Sequence, residues 1–447
     1  MQHKPVESIT EADLNSLVSE GRREDSQLEF KLTLPGTNDD GKREFLKDVS
    51  SMANSQGGDI IYGIREERSN PEDAGKAAEV VGITSVGVDA TKLWMSELLN
   101  SSVEERLIGV MIREIPLNAG GFALVIRVPR SWNAPHVVRH RSHWRFYARN
   151  SAGVYAMNVT DLRTAFLLSD TLVQRLEAFR QERMSEIFKA HPDISIDKDW
   201  SDHKPSSTSD QRKSLLVVHL QPFDSVKSGY VIDVAELLNA DPEFLRFCSD
   251  RHGDGRLNFD GVLVTNADNV IQVYRSSATE ELDSGELSSP RPEFGGGNRE
   301  DVECIGATEL DRAIFKGVGR RLALLKNLGV SSPILVSVSL INVRGCKLLT
   351  RFPFYVGGSP GGIDFRFSSH AIDRQNLFLT GLVIENLQEL PLGAFRETPS
   401  GREYEYWHSV QGLMRPYCDI IWNAAGYRRS EYFAPDGKWL GEIYRGQ

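Results

Sequence analysis

The chain has 447 residues and a formal net charge of −10, with 40% hydrophobic and 26% charged residues. At roughly 100–200 residues per domain this length predicts two or three domains with full cores, and the balance excludes collagen-like, coiled-coil and wholly disordered chains. No run approaches the ~18 apolar residues of a membrane helix, no apolar leader follows a basic start, and the four scattered cysteines lack a CxxC pair, so the expectation is a cytoplasmic protein with reduced thiols and no membrane partner.

Taken in chain order, residues 7–20 predict a short amphipathic helix with Thr10 as N-cap and Leu14, Leu17 and Val18 on one face. LEFKLTL (28–34) alternates apolar and polar residues, so it is expected as a strand with Glu29 and Lys31 on the same face, turned outward. KREFLKDVSSMANS carries Phe45, Leu46, Val49 and Met52 at helical spacing and stops at Gly57-Gly58, which supply a left-handed cap before a buried strand, DIIYGI (59–64). Residues 67–79 are expected as loop and 89–106 as helix, followed by strands around VMIREIP and FALVIRVP. A long helix follows over 160–190, with Leu172, Leu176 and Phe179 on one stripe. The polar stretch 191–213 is the expected domain boundary. Beyond it, LLVVHL, LNFDGVLV, VIQVYR and ILVSVSLI predict strands, 308–328 and 403–424 predict helices, and the Ser/Pro/Gly-rich stretch 284–301 predicts a loop. The expected fold is α+β: a mixed α/β domain over 1–168, a helical and polar connector over 169–213, and a second α+β domain over 214–447.

The chemistry concentrates in Glu24-Asp-Ser-Gln-Leu-Glu29-Phe-Lys31. A carboxylate pair with a neighbouring lysine can hold a divalent cation against a phosphodiester, where the metal polarises a phosphoryl oxygen and acidifies a bound water. An ion-paired, solvated edge face is the bland alternative. The loop Asn54 to Gly58 could cradle a phosphate, but no G-x-x-x-x-G-K-[ST] string occurs, which excludes an ordinary P-loop ATPase.

From Ile115 to Thr160 there is no aspartate or glutamate. That window holds Arg127, Arg130, Arg139, Arg141, Arg145 and Arg149, with His136, His140 and His143 as polar surface or RNA-contacting residues. Trp132, Trp144, Phe146, Tyr147 and Tyr155 are interleaved. Arginines with stacking aromatics suit a phosphate backbone and unpaired bases, so the six arginines are the expected nucleic-acid contacts.

The strings E-x-x-x-x-E-F-K at 24–31, F-x-x-x-x-x-x-M-A-N-x-x-G-G at 45–58 and G-I-x-E at 63–66, with Pro135-His136 and Phe146-Tyr147-Ala148-Arg149 later, resemble the AlbA-like domain of the Schlafen family. The resemblance covers about residues 15–168. It implies a metal-dependent endoribonuclease acting on tRNA or another structured RNA, or on DNA, with a toxin-like or phage-defence role in bacteria. It implies Glu24, Glu29 and a third acid as ligands of Mg²⁺ or Mn²⁺, with Lys31 near the scissile phosphate. The third acid falls at Glu66 or Glu67, where relatives more often carry aspartate, and residue count favours Glu66. A non-catalytic nucleic-acid-binding regulator and a nucleotide-binding sensor remain as alternatives. The second half is expected to serve substrate selection, sensing or homo-oligomerisation.

Overall fold

The computed structural model describes residues 4 and 6–441, except 68–74, 85–86, 142, 151–152, 192–213, 227–228, 230, 236, 238–241, 267–268, 285–286, 296–297, 357–358, 393–394, 399–400 and 405. The chain divides into two units, Met1–Arg175 and Leu176–Gln447. Of the polar stretch 191–213, all but residue 191 lies outside the described residues. Among the described residues, no helix is long and apolar enough to cross a membrane.

The first unit contains α1 (Glu11–Ser19), β1 (Leu28–Lys31), α2 (Asp39–Ala53), β2 (Gly58–Tyr62), β3 (Ile64–Glu66), β4 (Ala77–Val80), α3 (Val88–Ser102), β5 (Val103–Glu104), β6 (Met111–Pro116), β7 (Phe122–Val128), β8 (Val137–His140), β9 (His143–Asn150) and β10 (Gly153–Ala156). The central sheet has the order β1-β2-β7-β6, with β1 and β2 parallel and the other pairs antiparallel. Both of its faces are covered. Leu28, Phe30 and Ile61 pack with Leu14 and Leu17 of α1, while Ile60, Tyr62, Leu124 and Ile126 pack with Phe45, Val49 and Met52 of α2 and Leu98 of α3. A second antiparallel sheet, β10-β9-β8-β5, lies against α2 through β8 and β9. Enclosed this way, α2 is buried at Phe45 and Leu46 and without interruption from Asp48 to Ala53, so its last turns have no solvent face.

Four expectations for this unit change. The strand expected over 28–34 ends at Lys31, and the helix expected over 89–106 ends at Ser102, before β5 pairs with β8. The stretch 59–64 is not one strand: Gly63, at φ +96°, breaks it, and β3 leaves to pair with β4. Within 67–79, expected as loop, β4 begins at Ala77.

The second unit follows α4 (Val159–Ala190), which spans the division. Its strands are β11 (Leu215–Pro222), β12 (Asp254–Leu257), β13 (Gly261–Thr265), β14 (Val270–Tyr274), β15 (Thr279–Asp283), β16 (Ser288–Gly295), β17 (Asn298–Gly306), β18 (Ile334–Ile341), β19 (Lys347–Val356), β20 (Ser359–Phe367), β21 (Asn376–Ile384), β22 (Phe395–Thr398) and β23 (Gly401–Tyr404), with α5 (Ala307–Asn327) and α6 (Tyr406–Ala424). Seven strands form an antiparallel sheet, β12-β13-β14-β15-β11-β18-β21, and four more form β16-β17-β19-β20. The face of the large sheet carrying Leu216, Val218, Val336 and Val338 packs with α5 and α6. The face carrying Leu215, Val217 and Ile341 packs with Met184 and Ile187 of α4. The stretch 284–301, expected as a loop, is instead the hairpin β16–β17. Pro290 and Pro292 are tolerated because β16 is an edge strand, where a missing N–H breaks no interior ladder. LNFDGVLV splits into β12 and β13 around a turn at Asn258–Gly261, whose Asn258 side chain accepts from the Gly261 N–H at 2.7 Å. The fold is therefore mixed α/β in the first unit and α+β in the second. All four cysteines are free and buried.

Candidate active site

The register of β1 on β2 decides where the carboxylates point. Glu29 pairs with Ile60 and Lys31 with Tyr62, and Ile60 and Tyr62 both face α2. Glu29 and Lys31 therefore face α2 as well, inward rather than outward, and Glu29 is only 8% exposed. α2 brings Asp48 to the same place, 2% exposed and embedded among Phe45, Val49 and Met52. Burying a carboxylate requires compensation, and Lys31 supplies it. Its Nζ lies 2.6 Å from Glu29 Oε1, 3.2 Å from Asp48 Oδ2 and 3.3 Å from Glu44 Oε1. The other oxygen of Glu29 faces Arg149 Nη1 of β9 at 2.5 Å.

These contacts set the ionisation of the group. Burial pushes the Glu29 carboxyl up, but Lys31 and Arg149 outweigh it and hold it below the usual carboxylate range. Burial and the Glu29 charge raise Asp48, with Lys31 opposing. Burial alone would lower Lys31, yet Asp48 and Glu29 raise it overall, so its ammonium stays charged. Burial and Asp48 raise Tyr62, which stays neutral.

Glu24 is half-buried at the free edge of β1, where its Oε1 accepts from the Phe30 N–H at 2.7 Å. Its own N–H donates to the Gly75 carbonyl, and the Ala77 N–H donates to Arg22 O, so residues 22–24 run beside 75–77. β3 pairs with β4 at Glu66 and Ala77, which brings Glu66 to the same neighbourhood. Burial raises the Glu24 carboxyl to about 7; the Phe30 hydrogen bond opposes this, and the charges of Glu66 and then Glu29 add to it. A cavity of about 990 Å³ is lined by Lys31, Glu44, Asp48, Tyr62, Glu66 and Glu67 among others, and neither Glu24 nor Glu29 is part of its lining.

The structure thus gathers Glu24, Glu29, Lys31 and Glu66 into one neighbourhood and adds Asp48 and Arg149 to it. Asp48 was passed over in the sequence, although a charged residue among apolar positions of an amphipathic helix was the available signal. Glu67 also lines the cavity, but it is the Glu66 charge that acts on Glu24.

The basic window does not form one surface. Arg149 is buried on Glu29. Arg127 is held by Asp59 at 2.8 and 2.9 Å and donates to the Lys4 carbonyl at 2.5 Å. The strand pairing that sets Arg127 beside Asp59 on β2 explains the departure, since a buried Asp59 needs a cation. Arg130 is half-buried. Arg139, Arg141 and Arg145 remain exposed or nearly so. Arg139 pairs with Glu104 at 3.0 Å and lies 4.3 Å over the ring of Trp144, which is 58% exposed, while Arg141 pairs with Asp39. His136 is not on the surface: it is fully buried, its Nδ1 is 2.8 Å from the Glu105 carbonyl, and burial lowers its pKa. His140 sits 3.5 Å from Asp39. The side chain of His143 lies outside the described residues.

The Asn54 to Gly58 loop is built into the fold. Asn54 Nδ2 donates to the carbonyls of His136 and Tyr147, and its Oδ1 accepts from the His136 N–H, so the amide ties α2 to β8 and β9. A Cβ on Gly57 would lie 2.6 Å from the Arg130 nitrogen, and one on Gly58 would collide with the Gln27 carbonyl. These glycines serve close backbone approach at positive φ.

Elsewhere, Cys248, Glu281 and Asp283 of the second unit bring potential metal-ligand atoms within 4.8 Å of one another, an arrangement missed in the sequence. All three are buried and already bonded: Cys248 Sγ donates to Asp283 at 3.1 Å, the Cys248 N–H to Glu281 at 2.5 Å, and Arg321 Nε to Glu281 at 3.3 Å. This is an internal ionic network.

Residues 24–158 match the family model described as Schlafen, AlbA_2. Among solved structures, the N-terminal domain of a RecG-related protein from Nitrosomonas europaea is 17% identical, over 27% of this chain and 74% of that one, with a TM-score of 0.22. No curated protein matches the chain. The chain carries a Schlafen AlbA_2 domain over residues 24–158, the segment that holds every carboxylate of the candidate site.

Proposed function

We propose that the chain is a metal-dependent endoribonuclease of the Schlafen type, acting on structured RNA with tRNA foremost. The observation that carries this reading is the meeting of Glu24 and Glu66, where residues 22–24 run beside 75–77 and β3 pairs with β4; burial and the charges of Glu66 and Glu29 raise the half-buried Glu24 carboxyl to about 7. A cluster of carboxylates, which offers only oxygen donors, suits a hard divalent cation. Glu24 and Glu66 would hold Mg²⁺ or Mn²⁺, with Glu29 alongside, fixed by Lys31 and Arg149. Such an ion, when bound, polarises a phosphoryl oxygen and acidifies water. Lys31 lines the cavity, where its ammonium would orient a scissile phosphate and offset the charge that develops on it. Arg139, Arg141 and Arg145 would track the backbone. Trp144, exposed beside Arg139, favours unpaired bases of a folded RNA over duplex DNA.

Purified protein incubated with total tRNA and Mn²⁺ is expected to give discrete fragments, with none in EDTA and none from a folded Glu66→Gln variant. Cleavage that persists in EDTA or in that variant overturns the metal-site reading. One observation favours a second reading, nucleic-acid binding without cleavage: both oxygens of Glu29 already face cations. Salt-sensitive RNA binding with no fragments under either ion selects it.

A further inference from the structure

The second unit holds a cavity of about 610 Å³ along the last turns of α4, lined by Arg180, Met184, Phe188, Lys189 and Phe378 among others. That volume falls within the range of small-molecule pockets, roughly 300–1,000 Å³. Its apolar wall comes from α4 and from β21. Phe378 is 48% exposed although it projects from a strand of the main sheet, and Phe188 is half-buried. The two cations differ. Lys189 is neutralised by Glu186 at 2.6 Å, whereas Arg180 has no carboxylate within ion-pair distance among the described residues and lies 5.8 Å over the Phe378 ring. Phe378 pairs across the strands with Ser339, so both side chains share one face of the sheet. Ser339 is fully buried, and its hydroxyl has no protein partner among the described residues.

A guanidinium with no carboxylate partner among the described residues, set against an apolar wall, matches one ligand chemistry. We propose that this cavity binds a small amphipathic monoanion, a medium-chain or aromatic carboxylate. The carboxylate would take Arg180 as a two-pronged partner, and the apolar body would lie on Met184, Phe188 and Phe378. The site is independent of the carboxylate cluster of the first unit, and it gives the second half of the chain a ligand-sensing role.

Calorimetric titration of the full-length protein with sodium decanoate, against 1-decanol, tests the proposal. Saturable one-to-one decanoate binding is expected, about tenfold tighter than decanol, as one charge-assisted pair supplies. Arg180→Gln is expected to erase that preference, and Phe378→Ala to weaken both ligands. Neither side chain is buried, so both variants keep the wild-type thermal transition. Absence of saturable decanoate binding overturns the proposal, as does an undiminished carboxylate preference in Arg180→Gln. Adventitious surfactant binding would show as many weak sites insensitive to both substitutions, and would overturn it equally.

Discussion

At the scale of the residue, Glu24 and Glu29 are two carboxylates of one short string driven in opposite directions by their surroundings. Glu24 ionises at about 7 in the folded chain against 4.5 ordinarily, so folding disfavours its charged form. Its contribution is fully present below pH 4.5 and is lost as pH rises from there to about 7. Glu24→Gln keeps the oxygen that accepts from Phe30 and removes the charge. In EDTA the variant is expected to be more stable than wild type at pH 8, by on the order of 1 kcal/mol once solvent screening is allowed for, and equal to it at pH 4. Urea midpoints at the two pH values check this; equal midpoints at pH 8 would mean that Glu24 carries no such penalty. Glu29 behaves differently. The sequence suggested an outward carboxylate whose neutralisation is nearly free. Buried between Lys31 and Arg149, it is instead an ionic anchor. Glu29→Gln leaves Arg149 without its counter-ion and is expected to destabilise the protein by about 3 kcal/mol at neutral pH. Loss of RNA cleavage in this variant therefore counts for the metal site only after its stability has been measured.

At the scale of the element, the joint between α2 and β2 positions the site. Gly57 and Gly58 let β2 start directly against the backbone of Gln27 and Val128, which sets the parallel register of β1 and thus the inward face of Glu29 and Lys31. Gly58→Ala adds a methyl group where the Gln27 carbonyl sits, at a φ of +154° that L residues rarely adopt. The expected cost is about 2 kcal/mol or more, because the obstacle is backbone and cannot rotate away. A thermal melt within a degree of wild type would show that the joint relaxes. Asn54 performs the complementary task, since its amide saturates two backbone groups of His136, just before β8, and one of Tyr147 in β9, and so fixes the strand that delivers Arg149.

At the scale of the whole molecule, a chain of net charge −10 repels phosphate at long range, so the proposed RNA binding would have to come from a local basic surface. Of the six arginines in the acid-free window, Arg127 and Arg149 are committed to Asp59 and Glu29. Replacing Arg139, Arg141 and Arg145 together by Gln is expected to weaken RNA binding and to lower the slope of log affinity against log salt by about 2–3, because each phosphate that is no longer neutralised keeps its condensed counterion. Filter binding across a salt series reads both quantities, and an unchanged slope would place the RNA path on another surface.

Local patterning carried much of the architecture in advance. The spacing of Phe45, Leu46, Val49 and Met52 determined α2, and the alternation in LEFKLTL located β1, which stops at Lys31, because an element's periodicity is written in neighbouring residues. The string holding Glu24, Glu29 and Lys31 pointed to the candidate site by the chemistry of residues close in sequence. What the linear pattern left open was decided by pairings between distant segments. Only the register of β1 on β2 turned Glu29 inward, and only the packing of β9 on α2 brought Arg149 to it. The enclosure of α2 between two sheets made Asp48 a buried partner of Lys31. Likewise, Pro290 and Pro292 looked like loop residues until the sheet order placed them on an edge. Periodicity is a property of adjacent residues, whereas burial and charge compensation belong to residues brought together by the fold, so the elements were legible in the sequence and the electrostatics of the site were not.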